Sequence, residues 1–127
     1  MREYEYILPL SINPNLFIGK KPVAVIFGDE RIVVRTWREV YSVILKRCNS
    51  YPRHHETLME LRGRIAGKIR VFLSDSPQTM RSPVKIDEDM YAESHYGAAT
   101  LIHILTIRIL KPVGFDYSNI SIVLKSV

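Results

Sequence analysis

The chain has 127 residues, of which 46% are hydrophobic, with one cysteine and a formal net charge of +5 at pH 7. This length is typical of one domain with an ordinary buried core, and a single cysteine excludes a disulfide-stapled secreted scaffold. No apolar stretch approaches the roughly 18 residues that predict a transmembrane helix. The first five residues carry both charge signs and lead into no long apolar block, unlike a signal peptide. We therefore expect a cytoplasmic domain.

The positive charge is concentrated in one segment. Residues 31–70 contain ten basic and three acidic side chains, a net +7, whereas residues 1–30 and 71–127 each have a net −1. Eight of the ten cations are arginine, whose planar guanidinium group matches phosphate and carboxylate geometry. Two interpretations remain open: a solvated face of two helices, or an anion-binding face whose most common large cytosolic partner is nucleic acid.

Residues 1–19 differ from the rest of the chain. Tyrosines and leucines recur at every second position from Tyr4 to Leu10, but Pro9 and Pro14 interrupt the run. Proline lacks the amide donor of a central strand, so we predict an edge strand or an extended arm, with a single domain over residues 20–127. Such an arm must pack on its own domain or on a second copy of the chain.

A hairpin and a helix follow. Residues 23–27 and 31–35 are rich in β-branched side chains and flank Gly28-Asp29-Glu30, which predicts two paired strands. Thr36-Trp37-Arg38-Glu39 matches the capping box that opens a helix. The apolar positions after it recur every three or four residues, which predicts an amphipathic helix ending near Asn49. These positions are Trp37, Val40, Tyr41, Ile44, Leu45 and Cys48.

Further elements are predicted in the second half. A second helix is expected from about Arg53 to Ala66, with Gly67 just past its end, followed by a strand over residues 68–73. Short strands are expected at residues 84–86 and 90–94. A third helix, apolar nearly all round, is expected from about Tyr96 to Leu110, stopped by Pro112 and Gly114, before a final strand with alternating Ile120, Ile122 and Leu124.

This irregular order of strands and helices predicts an α+β domain in which about three helices cover a two-layer mixed sheet. The hairpin beside a helix pair also permits a winged-helix variant.

The candidate phosphate-binding residues lie on the outward faces of the predicted helices and flanking strands. Cations projecting from such a face would contact the nucleic-acid backbone with little reading of sequence. The candidates are Arg35, Arg38, Lys46, Arg62, Arg64 and Arg70.

A smaller ligand site is predicted at the start of the third helix, where free amides attract phosphate and aromatic side chains stack on bases. Its candidates are Tyr91, Ser94, His95 and Tyr96. The alternative is ordinary capping by Ser94, with the tyrosines filling the edge of the core.

No catalytic constellation is evident in the sequence, so we expect a non-enzymatic protein without a cofactor. His54-His55-Glu56 lack metal-ligand spacing, and Cys48 occupies an apolar stripe. Asp87-Glu88-Asp89 and Glu93 could collect Mg²⁺, but neither Glu-x-Lys nor Asp-x-Lys is present, and a solvated turn explains these acids more simply. No phosphate-binding glycine loop occurs.

The chain resembles small bacterial domains, some of which occur at the ends of restriction- or DNA-associated proteins. The similarity covers residues 22–125 and lies in Trp37-Arg38-Glu39-Val40, Tyr91-Ala92-Glu93-Ser94, Gly114-Phe115-Asp116 and Ile120-Ser121-Ile122. It implies a DNA-related role and assigns no catalytic residue.

The alternative function is a homo-oligomerisation or protein-interaction module. Residues 1–12 of the arm and the third helix would then provide the contact. The two functions are compatible, because a symmetric dimer doubles the basic surface.

Overall fold

The computed structural model describes residues 4–64 and 72–125. Within these ranges, a short 3-10 helix (Pro14–Phe17) follows the first strand, and a continuous third helix, α3, covers residues 98–113. The other elements are β1 (Glu5–Pro9), β2 (Lys21–Phe27), β3 (Glu30–Val33), α1 (Trp37–Asn49), α2 (Pro52–Leu61), β4 (Leu73–Ser74), β5 (Pro83–Asp87), β6 (Met90–Glu93) and β7 (Ile120–Lys125).

The strands form two sheets, one of four strands in the order β1-β7-β2-β3 and one of three in the order β4-β6-β5. The α+β class with about three helices is therefore confirmed. The sequence favoured a mixed sheet, but every strand pairing in the described ranges is antiparallel. The hairpin that also permitted a winged helix lies inside the four-stranded sheet, because β2 pairs with β7 as well as with β3.

The start of the chain is built into this sheet. β1 pairs with β7 along its whole length, with Tyr6 opposite Leu124 and Leu8 opposite Ile122. It is an edge strand, where Pro9 is tolerated because its missing amide faces no partner strand.

α1 begins and ends where the sequence predicts. The Thr36 hydroxyl accepts a hydrogen bond from Glu39 N at 3.1 Å, and Val40, Tyr41, Ile44, Leu45 and Cys48 are buried. Glu39 reaches one residue further back than a standard capping box, since its carboxylate accepts from Arg35 N at 3.3 Å.

α2 is shorter than predicted: it ends at Leu61 rather than near Ala66. Gly63 takes φ +75°, a left-handed conformation that ends a helix, and its N–H donates to Leu73 O at 2.8 Å in β4. This hydrogen bond connects the end of α2 to the smaller sheet. The predicted helix end at Gly67 and residues 68–71 of the predicted strand lie outside the described residues.

α3 also differs from the prediction at both ends. Gly97 is its N-cap and Ala98 its first residue, two residues after the predicted start at Tyr96. At the other end Pro112 lies inside the helix, and only Gly114, at φ +82°, stops it. Residues 104–110 form a π-helix, in which Lys111 N donates to Thr106 O, five residues back. This wider turn precedes the proline and accommodates it without ending the helix.

The apolar character of α3 is explained by its position in the core. Its buried side chains are Leu101, Ile102, Ile104, Leu105, Thr106, Ile109, Leu110 and Val113, with Ile107 exposed. None of the described helices combines the length and the apolar character that a membrane span requires.

Candidate functional site

An open groove of about 570 Å³ lies between α1 and β5. We call it the basic groove; its lining residues are Thr36, Arg38, Glu39, Ser42, Lys46, Val84 and Lys85. The α1 members lie on one helix face because Arg38, Ser42 and Lys46 are four residues apart. The buried stripe of α1 faces the core, so this polar face meets β5 at the surface.

Arg38 is held in place at the mouth of this groove. One of its terminal amino groups donates to Pro83 O at 2.6 Å. A carbonyl oxygen orients the guanidinium group without cancelling its charge, and the remaining N–H groups stay available to an anion. A fixed arginine of this kind loses less conformational freedom on binding than a free one.

Two lysines add positive charge to the groove. Lys46 is exposed, and its ammonium group has no hydrogen-bond or ion-pair partner within residues 4–64 and 72–125. Lys85 lies 3.5 Å from Glu88, whose side chain is 87% exposed, so solvent and salt screen this pair. Glu39 is the acidic residue in the lining, and its carboxylate accepts a hydrogen bond from Arg35 N. The groove therefore presents a net positive charge.

The six predicted phosphate-binding residues do not converge on one surface. Arg38 and Lys46 line the basic groove, and the exposed Arg35 immediately precedes α1. Arg62 and the exposed Arg64 lie at the far end of α2, where Arg62 donates to Met59 O at 3.1 Å and to Asp89 O at 2.5 Å. Arg70 lies outside the described residues.

Two other arginines of the basic segment are paired with acidic side chains. Arg31 lies 3.4 Å from Glu5. Arg47 lies 2.7 Å from Glu30, stacks over the Phe27 ring at 4.3 Å and has its pKa raised by the Glu30 hydrogen bond. Part of the +7 of residues 31–70 therefore supports the fold rather than a ligand.

The predicted ligand site at the start of α3 is occupied by internal contacts. The Ser94 hydroxyl donates to Ser82 O at 2.7 Å and does not cap the helix. Tyr96 packs edge-on against Phe72 with ring centroids 6.0 Å apart. Tyr91 is half-buried in β6, and only His95 is exposed. The alternative prediction that Ser94 caps the helix is wrong, because Gly97 is the N-cap.

Glu93, which the sequence suggested only as a metal ligand, has a structural role. Its fully buried carboxylate accepts hydrogen bonds from Arg81 N at 2.9 Å and Ser82 N at 2.8 Å. It thereby fixes the loop that leads into Pro83, the residue whose carbonyl orients Arg38. The described residues contain no group of three or more His, Cys, Asp or Glu side chains that could hold a metal ion.

A polar cluster that the sequence did not reveal joins α1, α2 and β5. His55 Nδ1 lies 2.7 Å from Asn49 Oδ1 and 3.4 Å from Asp87 Oδ2, and Asn49 Nδ2 donates to Asp87 Oδ2 at 2.9 Å. We call these three residues the junction triad. The hydrogen bonds from Asn49 and Glu88 N lower the pKa of Asp87, with smaller contributions from His55 and Lys85.

Comparisons with protein-family models, curated proteins and solved structures found no match. The resemblance to small bacterial domains stays a prediction, and functional inference rests on the geometry described above.

Proposed function

We propose that this protein binds the phosphate backbone of nucleic acid through the basic groove. The observation that carries the proposal is the placement of Arg38, Lys46 and Lys85 along one open groove, with Arg38 fixed by Pro83 O. The cytoplasmic location expected from the sequence would supply such a polyanion.

The geometry supports a smaller site than the composition suggested. Three groove cations would contact about three phosphates, so the logarithm of the binding constant should fall with the logarithm of salt at a slope of about −2 to −3. Binding of this kind is weak, with a dissociation constant of roughly 10⁻⁴ to 10⁻⁶ M at physiological salt, and reads little sequence.

Fluorescence anisotropy with labelled single-stranded and duplex oligonucleotides, at several salt concentrations, tests the proposal. Lys46→Gln should weaken binding and reduce the salt slope by about 1. Arg31→Gln is the matched control, because it removes the same charge from a residue already paired with Glu5. Equal effects of the two substitutions would mean that net charge, and not the groove, governs binding.

Self-association is the second candidate, and the side of the four-stranded sheet that faces away from the main core cluster favours it. Ile7, Val123, Ala24 and Val33 are aligned across the four strands in one apolar row. Ala24 and Val123 are buried but lie outside the main core cluster, while Ile7 and Val33 are 57% and 71% exposed. The row includes β1, in the arm that the sequence singled out, but no residue of α3.

Sedimentation analysis at high protein concentration tests this second candidate. Association through the apolar row predicts a dimer that Ile7→Lys or Val33→Lys converts to a monomer. Leu16→Lys is the control, since Leu16 is 49% exposed but lies in the 3-10 helix, away from the row. A wild-type chain that remains monomeric contradicts association.

A further inference from the structure

The hydrogen bonds of the junction triad fix the tautomer of His55. Asp87 Oδ2 can only accept, so the Asn49 group facing it is the amide nitrogen, and Asn49 Oδ1 consequently faces His55 Nδ1. Because Oδ1 also only accepts, Nδ1 carries a hydrogen. In the neutral ring the lone pair therefore lies on Nε2, which has no partner among the described residues and belongs to a side chain that is 37% exposed.

Two residues of the junction triad belong to α1 and β5, the two elements that line the basic groove. Asn49 follows Lys46 by three residues on the same polar face of α1, and Asp87 follows Lys85 by two residues on β5. The two walls of the groove thus continue into the triad. A phosphate backbone held by Lys46 and Lys85 would extend toward His55.

The structure assigns to His55 the role of an acid–base group that cleaves RNA bound in the basic groove. This inference rests on the proposed function. A single histidine can accept a proton but supplies no nucleophile to attack phosphorus. The simplest substrate is therefore one that carries its own nucleophile next to the phosphate. The ribose 2′-hydroxyl, which RNA has and DNA lacks, is such a nucleophile.

The reaction is a transesterification. His55 Nε2 accepts the 2′-hydroxyl proton, a bond forms between O2′ and the adjacent phosphorus, and the bond between phosphorus and O5′ breaks. The departing O5′ takes a proton from water, and the imidazolium returns its proton to the resulting hydroxide. The products are a 2′,3′-cyclic phosphate and a 5′-hydroxyl. Groove cations would stabilise the negative charge that builds up on the phosphoryl oxygens.

Asn49 and Asp87 are positioning residues in this reaction. They hold the ring through Nδ1, and the Asp87 carboxylate favours the imidazolium that forms. Asp87 also lies near Lys85, which pairs with Glu88 at the end of β5. His54, its neighbour on α2, packs against Tyr51 and Phe115 instead.

The first test compares cleavage and binding on three oligonucleotides of one sequence: RNA, DNA and 2′-O-methyl RNA, all in the presence of EDTA. Wild-type protein should cut only the RNA and leave cyclic phosphate ends. His55→Gln should lower the rate by at least about a hundredfold and leave binding of 2′-O-methyl RNA unchanged. His103→Gln, purified in the same way, is the control for contaminating nuclease.

The outcomes separate this inference from the proposed function. RNA that is bound but not cut, or cut equally by His55→Gln, overturns the role of His55 and leaves the binding proposal standing. Failure to bind any of the three oligonucleotides at low salt overturns both. His55→Ala serves as a second variant, which should show the same loss of cleavage with an unchanged far-ultraviolet circular dichroism spectrum.

Asp87→Asn tests the positioning residues. It weakens the hold on the ring and removes the carboxylate that lies against the imidazolium formed during the reaction, so kcat on RNA should fall by about tenfold or more while KM does not rise. A purely structural role for Asp87 would leave kcat per folded molecule unchanged or raise KM instead, and either result overturns the assignment.

Discussion

Replacement of Glu93 by glutamine should destabilise the protein strongly. The buried carboxylate accepts two hydrogen bonds, from Arg81 N at 2.9 Å and Ser82 N at 2.8 Å. Hydrogen bonds to charged groups contribute about 1.5–3 kcal/mol each. Glutamine keeps one oxygen, which can accept from only one of the two backbone N–H groups. Its NH₂ group then faces the other backbone N–H, so two hydrogen-bond donors point at each other. The expected loss in free energy of unfolding is about 2–4 kcal/mol.

Urea unfolding followed by circular dichroism measures this loss. With a urea dependence of about 2 kcal/mol per molar, the midpoint for Glu93→Gln should fall by about 1–2 M. Glu60→Gln, at an exposed position in α2, should stay within about 0.5 kcal/mol of wild type. If Glu93→Gln unfolds at the wild-type urea concentration, the buried carboxylate does not anchor the 81–82 loop and does not fix the Pro83 carbonyl that orients Arg38.

Three further predictions concern single side chains. Tyr41→Phe should raise the free energy of unfolding, measured in thermal melts, by about 1 kcal/mol. The reason is that the fully buried Tyr41 hydroxyl has no hydrogen-bond partner in the described parts of the chain. A less stable variant would show that the hydroxyl does form a hydrogen bond. The pKa of Asp87 is lowered in the folded protein, so its contribution to stability is complete above about pH 4 and is lost as the pH falls through the folded-state pKa. In a plot of the urea midpoint against pH, Asp87→Asn should therefore lose less stability at acid pH than wild type does. Equal acid losses in the two proteins would contradict this prediction. Burial raises the pKa of the Cys48 thiol to about 12. A thiol reagent at pH 8 should therefore label Cys48 only when urea has unfolded the protein. Rapid labelling of the folded protein would place Cys48 at the surface.

The sequence by itself determined the elements whose signals are local. The Thr36 cap and the three-to-four spacing of apolar residues defined both ends of α1, and the β-branched runs around Gly28 defined the hairpin. β5, β6 and β7 were also predicted near their observed positions. These signals act within a few residues, so neighbours in the chain are sufficient to specify them.

The ends of α2 and α3 depended on tertiary contacts. Gly63 ends α2 at a point where its N–H donates a hydrogen bond to Leu73 O in β4. Ser94 was expected to cap α3, but its hydroxyl bonds to Ser82 O, and Gly97 begins the helix instead. In both cases a hydrogen-bond partner distant in sequence overrode the local preference.

Only the tertiary structure decided which charges are available and which polar groups meet. Composition showed an arginine-rich segment, but Arg31 is paired with Glu5, 26 residues away, and Arg38 with Pro83 O, 45 residues away. Asn49 and Asp87, 38 residues apart, join His55 only when α1, α2 and β5 pack together. Polar side chains pair with the groups that the fold brings close in space, and local sequence patterns do not encode that proximity.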